Sequence, residues 1–284
     1  MTNTPHIVCF DGYNFIHRAR SGFTKGDWSV VFNFFRSFRS EVEKHKATRV
    51  IFVTEGMPVR RIEASEGTYK ANRQQVIEEG SKEHDELLSF LRQKDMIIRL
   101  LSERFPVSVM RHPDFEADDV IYNVIKRSSS AVPWTVISTD TDFIQMLDEL
   151  KNVKLYNPVK KTYVESPEYD YLLWKALRGD PTDNIKGLPG IGDKTAEKLA
   201  RDPKLFEEKI TSDDEKRQLW ESNREMIKFH EFTHEEANQV ESNQPFERWD
   251  SVNAAFQSFG FKSMLNEKSW TKFTKTFDHL WGKK

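Results

Sequence analysis

Short apolar runs alternate with amphipathic helical patterns along the first two thirds of the chain, and this alternation limits the possible folds more than any other feature. Continuous apolar runs of four residues are typical of strands that are covered on both faces. Five such runs lie at residues 7–10, 50–53, 107–110, 134–137 and 153–156. Between the first two runs, apolar residues from Trp28 to Val42 recur every three or four positions, as on one face of a helix. The pattern predicts an α/β protein with a mostly parallel central sheet flanked by helices.

The pattern changes at two places along the chain. Residues 56–85 are rich in charged side chains and poor in apolar ones, which predicts a long, mobile excursion from the sheet. After about residue 166 no strand pattern remains, and short helical patterns follow. We therefore predict an α/β domain over residues 1–175, with its excursion at about 56–100, and a helical region over residues 176–284. The aromatic residues near the end of the helical region are expected to lie in the core.

Composition excludes several classes of protein. Hydrophobic residues make up 37% of the chain and include 21 Phe, so the chain can bury a sizeable core and is not expected to be disordered. Its 43 basic and 45 acidic residues give a net charge of −2, which argues against a simple polycation. The single cysteine, Cys9, excludes an internal disulfide and fits a reducing compartment. Since no apolar run approaches the roughly 20 residues of a membrane span and no signal peptide is evident, we expect a cytoplasmic protein with no membrane contact.

Acidic residues follow the first four predicted strands. Ligands of open α/β sheets bind beyond the carboxyl ends of the strands, so these acids are expected to converge at one edge. One Asp alone is more often a helix cap or a turn residue, but four such groups together favour a site. Two further acids come from the helical region. The nine residues are Asp11, Glu55, Glu116, Asp118, Asp119, Asp140, Asp142, Asp180 and Asp183.

Nine carboxylates in one cleft cannot all stay ionised without cations, because like charges raise one another's pKa. Oxygen ligands with no Cys or His nearby suit Mg²⁺ or Mn²⁺ rather than zinc. Two divalent ions bridged by carboxylates are the usual apparatus for in-line attack on a phosphodiester. Setting the nine acids aside leaves 36 acidic against 43 basic residues, a net charge of +7 that suits a polyanionic substrate.

A glycine-rich turn at residues 187–196 is the second strong signal. Two glycines flank an apolar residue that can insert into the core, and a helix is expected to start near Lys194. Free N–H groups at that helix start would bind a phosphate without reading the base sequence, and the turn's carbonyls could hold a monovalent cation. The alternative is an ordinary helix–turn–helix loop. The candidate DNA-binding residues here are Gly187, Gly190, Ile191, Gly192, Lys194 and Thr195.

Within the excursion, an aromatic residue and two cations fall in one short segment. Lys70 and Arg73 could grip phosphates near the metals, and Tyr69 could stack on a base. Residues 60–94 nevertheless hold 7 basic and 7 acidic side chains, so this segment taken alone favours a solvated helix.

Taken together and in this order, the motifs between about residues 7 and 200 resemble the 5′-nuclease family of flap endonucleases and 5′→3′ exonucleases. The most similar branch holds bacteriophage flap endonucleases and the 5′-nuclease domain of bacterial DNA polymerase I. The resemblance implies a structure-specific nuclease with two Mg²⁺ ions, for which Mn²⁺ could substitute. It places Asp11, Glu116 and Asp118 at the first ion. It places Asp142, Asp180 and Asp183 at the second, Asp140 near both, and Asp119 in a supporting role.

The same resemblance implies further parts of the machinery. Lys70 and Arg73 would contact the scissile phosphate from a helical arch, and act there with Asp11 and Asp140. A helix-hairpin-helix (H3TH) motif at about 183–201 would bind duplex DNA and a K⁺ ion. Expected partners are DNA with a 5′ flap or a single-strand/duplex junction, an RNA–DNA hybrid, and a single-strand-binding protein or polymerase. The protein is expected to be a monomer in a bacterial or phage-infected cytoplasm.

The sequence departs from the family in one metal-site position and leaves some alternatives open. The family usually carries Asp fourteen residues before the arch tyrosine, where this chain has Glu55. A non-catalytic DNA-structure-binding protein, weakened at Glu55, is one alternative, and a nuclease directed at RNA is another. His230 and His234 form an H-E-x-x-H pattern typical of zinc proteases, but neither Glu247 nor Glu267 has the context of a third ligand.

Overall fold

The computed structural model describes residues 5–22, 26–73, 77–243 and 249–281. Residues 74–76 of the excursion and Glu247 lie outside the described residues. The strands are β1 (Ile7–Asp11), β2 (Arg49–Val53), β3 (Ser108–Arg111), β4 (Trp134–Ile137), β5 (Val153–Asn157), β6 (Thr162–Val164), β7 (Gly179–Asp180), β8 (Ile185–Lys186) and β9 (Glu241–Ser242). The helices are α1 (Gly12–Ala19), α2 (Ser29–His45), α3 (Val59–Ala64), α4 (Lys82–Arg104), α5 (Ala117–Lys126), α6 (Tyr171–Arg178), α7 (Asp193–Arg201), α8 (Pro203–Phe206), α9 (Asp214–Ile227), α10 (His234–Asn238), α11 (Trp249–Ser258), α12 (Lys262–Leu265) and α13 (Glu267–Asp278). Short 3₁₀ segments lie at Ala71–Arg73, Asp142–Met146, Pro181–Asp183 and His279–Trp281.

The central sheet confirms the predicted fold class. Its seven strands lie in the order β6-β5-β4-β1-β2-β3-β9. The inner five strands are parallel, and the two edge strands are antiparallel to their neighbours. All five strands predicted from apolar runs are present. Because β1 lies at the centre, its last residue, Asp11, reaches the middle of the carboxyl edge.

The prediction that no strands follow residue 166 is wrong. The strands β7 and β8 pair with each other, and β9 adds an antiparallel edge to β3. The Asn243 side chain extends this edge by accepting a hydrogen bond from the Val109 N–H and donating one to the Ser102 carbonyl. Strands of two residues leave no period in a sequence, so hydrophobic patterning cannot detect them.

The two faces of the sheet carry separate cores. One face packs against α2, α4 and the C-terminal helices, and Phe256, Phe273 and Phe277 are buried there as the aromatic pattern predicts. The other face packs against α5 and against Phe229 and Phe232 from the segment after α9. The helical region therefore covers both faces of the sheet. None of the described helices is long and apolar enough to cross a membrane.

The described part of the excursion folds back instead of extending from the sheet. It contains α3, and residues 68–73 dock on the turn after α6. The Lys70 N–H donates to the Asp183 carbonyl at 3.1 Å, and the Asn184 side chain donates to the Thr68 carbonyl at 2.8 Å. This docking brings Tyr69, Lys70 and Arg73 to the edge where the acids meet.

Candidate active site

The carboxyl edge of the sheet opens into a cavity of about 1140 Å³. Eight of the nine predicted acids line it, since β1, β2 and β4 end there, as does the loop from β3 to α5. The lining acids are Asp11, Glu55, Glu116, Asp118, Asp140, Asp142, Asp180 and Asp183.

Asp11 sits at the end of the central strand and is fixed by its neighbours. Its carboxylate accepts a hydrogen bond from the Ser138 hydroxyl at 2.7 Å and caps α1 through the Asn14 N–H at 3.4 Å. The next residue must be glycine, because a Cβ on Gly12 would lie 2.3 Å from the Val53 carbonyl oxygen. Burial, together with the nearby carboxylate of Asp140, raises the pKa of Asp11 to about 7, although the hydrogen bond from Ser138 opposes the shift.

The acids at the start of α5 surround a buried cation that the sequence analysis did not single out. Arg61, on α3, is 6% exposed and donates to Glu116 and, at 3.1 Å, to Asp119. Its guanidinium also lies 3.5 Å from Asp118. Two backbone carbonyls, those of Met226 and Lys228, complete its surroundings at 3.1 and 3.4 Å. All five partners are far away in sequence, so local patterns carry no signal for this role.

Asp119 pairs with Arg61 and does not lie where the sequence predicts. Asp119 does not line the cavity: it is 2% exposed, paired with Arg61, and accepts a hydrogen bond from the His230 N–H at 2.8 Å. Burial raises the pKa of Asp119 to about 8 although Arg61 opposes the shift. Burial would also raise the pKa of Glu116, but Arg61 and Lys70 outweigh it and lower the pKa.

Tyr69 occupies a different place from the one predicted. Its ring is buried, and its hydroxyl donates to Glu116 at 2.8 Å and Asp183 at 3.0 Å, so in this conformation it cannot stack on a base. Lys70 and Arg73 do lie at the cavity. Lys70 Nζ is 2.5 Å from Glu116, and Arg73 Nη2 is 2.5 Å from Asp183. These two cations hold carboxylates that face the cavity.

A second buried cation pairs with two further acids of the cavity. Lys175, on α6, is 5% exposed and pairs with Asp142 and, at 2.8 Å, with Asp180. Among the described residues, Asp142, Asp180 and Asp183 can each place one oxygen within 4.8 Å of the others, close enough to share a metal ion. Lys175 lies on the buried face of α6. A lysine at such a position is rarely buried unless it is paired, and this is the sequence signal that could have revealed its role.

Comparison with known proteins places this geometry in a family. A family model described as "5′-3′ exonuclease, N-terminal resolvase-like domain" matches residues 6–171, more than half of the chain. The chain belongs to the 5′-3′ exonuclease family. It is 28% identical over 234 residues to a DNA polymerase I from Synechocystis, covering 72% of this chain and 22% of the relative. It is 26% identical over 209 residues to a 5′-3′ exonuclease from Aquifex aeolicus, covering 67% of each chain.

Solved structures share the fold of this family member. A structure of the phage T5 5′-exonuclease with bound zinc matches with a TM-score of 0.63 at 19% identity, covering 98% of this chain and 100% of that one. A T5 flap endonuclease in complex with DNA and metal ions matches with a TM-score of 0.64 at 17% identity, with the same coverage. This chain spans about a quarter or less of the length of the DNA polymerase I relatives first matched.

In this member of the 5′-3′ exonuclease family, Glu55 faces the cavity but is held by the backbone. Its Oε2 accepts a hydrogen bond from the Ala117 N–H at 2.7 Å, at the first residue of α5. Burial, together with the carboxylates of Asp11 and Asp118, raises the pKa of Glu55 to about 8.

The glycine-rich turn lies away from this cavity, at the start of α7. Gly190 has a φ of +76°, which glycine adopts without strain. Gly192 is the N-cap residue of α7, and it has no side chain that could accept a hydrogen bond from the N–H groups of the first turn. Ile191 packs against the small core around Leu188, whereas Lys194 and Thr195 are exposed.

The zinc-protease pattern is not formed. The pattern requires both histidines on one helix, but α9 ends at Ile227 and α10 begins at His234. His230 lies between them, with Nε2 3.0 Å from Glu236 and Nδ1 3.2 Å from Arg60. The two histidines therefore share no helix face, because the Thr233 capping box starts a new helix between them.

The metal-free protein is expected to lose stability as pH rises from about 4 to about 8. Burial raises the pKa of Asp11 to about 7 and that of Asp119 to about 8, whereas such groups lose their protons near pH 4 in an unfolded chain. Within this window the folded state binds more protons, so its stability falls as pH rises. Denaturant titrations in EDTA measure this slope, and Mg²⁺ should stabilise the protein more at the upper end. A stability that rises across this window would contradict the prediction.

Proposed function

We propose that this protein is a divalent-metal-dependent, structure-specific 5′-nuclease that hydrolyses phosphodiester bonds in branched or nicked DNA. The observation that carries the proposal is the convergence of eight acids on one cavity, with Lys70 and Arg73 beside them. A site rich in carboxylates suits metal ions, and the two cations suit a phosphate. The names of the family's relatives agree with this chemistry.

The donor set fits two hard divalent ions. All the acids that line the cavity offer carboxylate oxygens, which Mg²⁺ and Mn²⁺ prefer. Asp142, Asp180 and Asp183 would hold one ion, since their oxygens can approach within 4.8 Å. Asp11, Glu116 and Asp118 would hold the other, with Asp140 near both. When bound, such ions lower the pKa of an attacking water and stabilise the charge on the leaving oxygen.

The chain's own cations would orient the substrate. Lys70 and Arg73 now pair with Glu116 and Asp183, two of the acids assigned to the ions. Metal ions bound to those acids would compete with both ion pairs. Lys70 and Arg73 would then be free to contact the scissile phosphate. The half-exposed side chain of Arg73 needs little movement of its surroundings to do so. Asp119 would support the site from behind by fixing Arg61.

The glycine-rich turn would hold the duplex part of the substrate. Its exposed residues, Lys194 and Thr195, stand at the start of α7 where free N–H groups favour phosphate, and this agrees with an H3TH motif over about 183–201. A K⁺ ion on the turn's carbonyls is part of the proposal. The α/β unit over residues 1–175 would supply most of the catalytic acids, and the region over 176–284 would add Asp180 and Asp183 and bind duplex DNA.

The proposed substrates are DNA with a 5′ flap or a single-strand/duplex junction, and RNA primers paired with DNA. A single-strand-binding protein or a polymerase would deliver them, and the chain would act as a monomer in the cytoplasm. Replication and repair both produce such junctions.

Cleavage of an end-labelled 5′-flap duplex tests the proposal. We expect incision near the 5′ junction with Mg²⁺, none with EDTA, and none on a matched 3′-flap duplex, because both the metals and the polarity of the strand are required. Salt-sensitive binding of the same DNA without incision would overturn the nuclease proposal and leave a non-catalytic DNA-binding protein.

A further inference from the structure

Glu55 makes a contact that a metal ligand would not need. It follows β2, and its Oε2 accepts a hydrogen bond from the Ala117 N–H at 2.7 Å. Ala117 is the first residue of α5, and the N–H groups of a helix's first turn have no partner inside the helix. The Glu55 carboxylate therefore caps a helix that begins on another strand's loop.

The N-cap residue of this helix does not cap it. Glu116 occupies the N-cap position with an extended backbone (φ −74°, ψ 164°), but its side chain makes no capping hydrogen bond. That side chain is instead engaged by Arg61, Tyr69 and Lys70. Because Glu116 faces these groups, the Ala117 N–H finds its acceptor on Glu55, whereas the Asp119 N–H is capped by the Asp118 side chain.

The backbone around Glu55 is fixed against the loop between β3 and α5. The Thr54 N–H donates to the Met110 carbonyl at 2.9 Å, and the Gly56 N–H donates to the Phe115 carbonyl at 3.0 Å. The approach is so close that a Cβ on Gly56 would lie 1.9 Å from the His112 carbonyl oxygen. With the backbone held on both sides, side-chain length decides whether the carboxylate reaches Ala117. An Asp would fall short by one carbon–carbon bond, about 1.5 Å.

We propose that Glu55 is a positioning residue that caps α5 and so fixes Glu116 and Asp118, and that it is not a metal ligand. The proposal rests on the metal centre proposed above for the roles of Glu116 and Asp118. It accounts for the longer side chain in this chain, because the extra methylene lets the carboxylate reach the start of α5.

Three substitutions separate a cap from a ligand. In Glu55→Gln an oxygen can still accept the Ala117 hydrogen bond while the charge is lost, whereas Glu55→Asp and Glu55→Ala remove the contact. We expect E55Q to unfold at the wild-type temperature, and E55D and E55A to unfold roughly 2–4 °C lower. By calorimetric titration with Mg²⁺ or Mn²⁺, E55Q should bind within about threefold of the wild type, because only a neighbouring charge is lost. Asp118→Asn, the matched control, should bind at least about tenfold more weakly.

Amide exchange at Ala117 gives a second, independent readout. With ¹⁵N-alanine labelling, the Ala117 amide should be protected in the wild type and in E55Q, both in EDTA and with Mg²⁺, and unprotected in E55A. Loss of this protection on adding Mg²⁺ would show that Glu55 leaves the helix to bind the ion, and would overturn the proposal. Tenfold weaker metal binding in E55Q, restored in E55D, would overturn it as well. Protection and unfolding temperature in EDTA do not depend on cleavage, so they test Glu55 even if the nuclease proposal fails.

Discussion

Replacing Asp118 by Asn is expected to reduce cleavage of the 5′-flap duplex by roughly three orders of magnitude while binding of the same DNA persists. Asp118 lines the cavity in the first turn of α5 and lies 3.5 Å from Arg61. Asparagine keeps the shape and can still accept the hydrogen bond that the Asp119 N–H donates at 2.7 Å. The substitution therefore removes one negative charge from the cavity and leaves the helix start intact. Single-turnover cleavage with Mg²⁺ and DNA binding with Ca²⁺ are the two measurements.

The control for Asp118 is an acid of the same type outside the cavity. Asp250, exposed in the first turn of α11, lies outside the set of residues that line the cavity, so Asp250→Asn should cleave as the wild type does. If D118N cleaves at the wild-type rate, the acids do not form the catalytic centre. If D118N loses DNA binding together with cleavage, Asp118 has a structural role instead.

Replacing Arg61 by Gln is expected to lower the free energy of unfolding by about 3–5 kcal/mol. Arg61 is buried and pairs with Glu116, Asp118 and Asp119, so its loss leaves the buried Asp119 and the partly buried Asp118 without this cation and leaves Glu116 paired with Lys70 alone. The penalty should be smaller at low pH, where protonation of these acids removes the repulsion. Denaturant titration of the metal-free protein at two pH values measures both effects.

Arg60 provides the matched control for this prediction. It precedes Arg61 on α3, but its side chain is 41% exposed and pairs with the exposed Glu225 at 3.3 Å. Exposed ion pairs contribute little, so Arg60→Gln should change stability by less than about 1 kcal/mol. Arg61→Lys keeps the charge but not the two-pronged contact, and should fall between wild type and R61Q. Equal stabilities for R60Q and R61Q would contradict the role given to Arg61.

Much of the fold and of the site's outline follows from sequence. Five apolar runs predict the five parallel strands, and the rule that ligands bind beyond strand ends gathers eight acids into one cavity. These predictions succeed because each buried strand appears in the sequence as a continuous apolar run, and because the acids follow these runs directly.

The charge balance of the site could not be predicted in the same way. Arg61 lies 55 residues from Glu116, and Lys175 lies 33 residues from Asp142, and both are buried only in the folded chain. In sequence Arg61 stands beside another arginine and looks like surface charge. The position of Tyr69 could not be predicted for a related reason: its hydroxyl donates to Glu116 and Asp183, which only the tertiary structure brings close to it. Pair contacts across the fold have no local period.

The contacts that Arg61 and Asp119 make with residues 226–230 limit how the site can change among relatives. The family model ends at residue 171, yet Arg61 is held by the Met226 and Lys228 carbonyls, and Asp119 by the His230 N–H. The part of the chain that the family model matches thus depends on a later segment. If residues 6–171 alone were grafted onto another protein, Arg61 would lose its two carbonyl acceptors and Asp119 would lose its N–H donor. Both side chains would then be exposed to water. The acidic edge is therefore not a transferable module, and changes near residues 226–230 should accompany changes in α3 and α5 when relatives diverge.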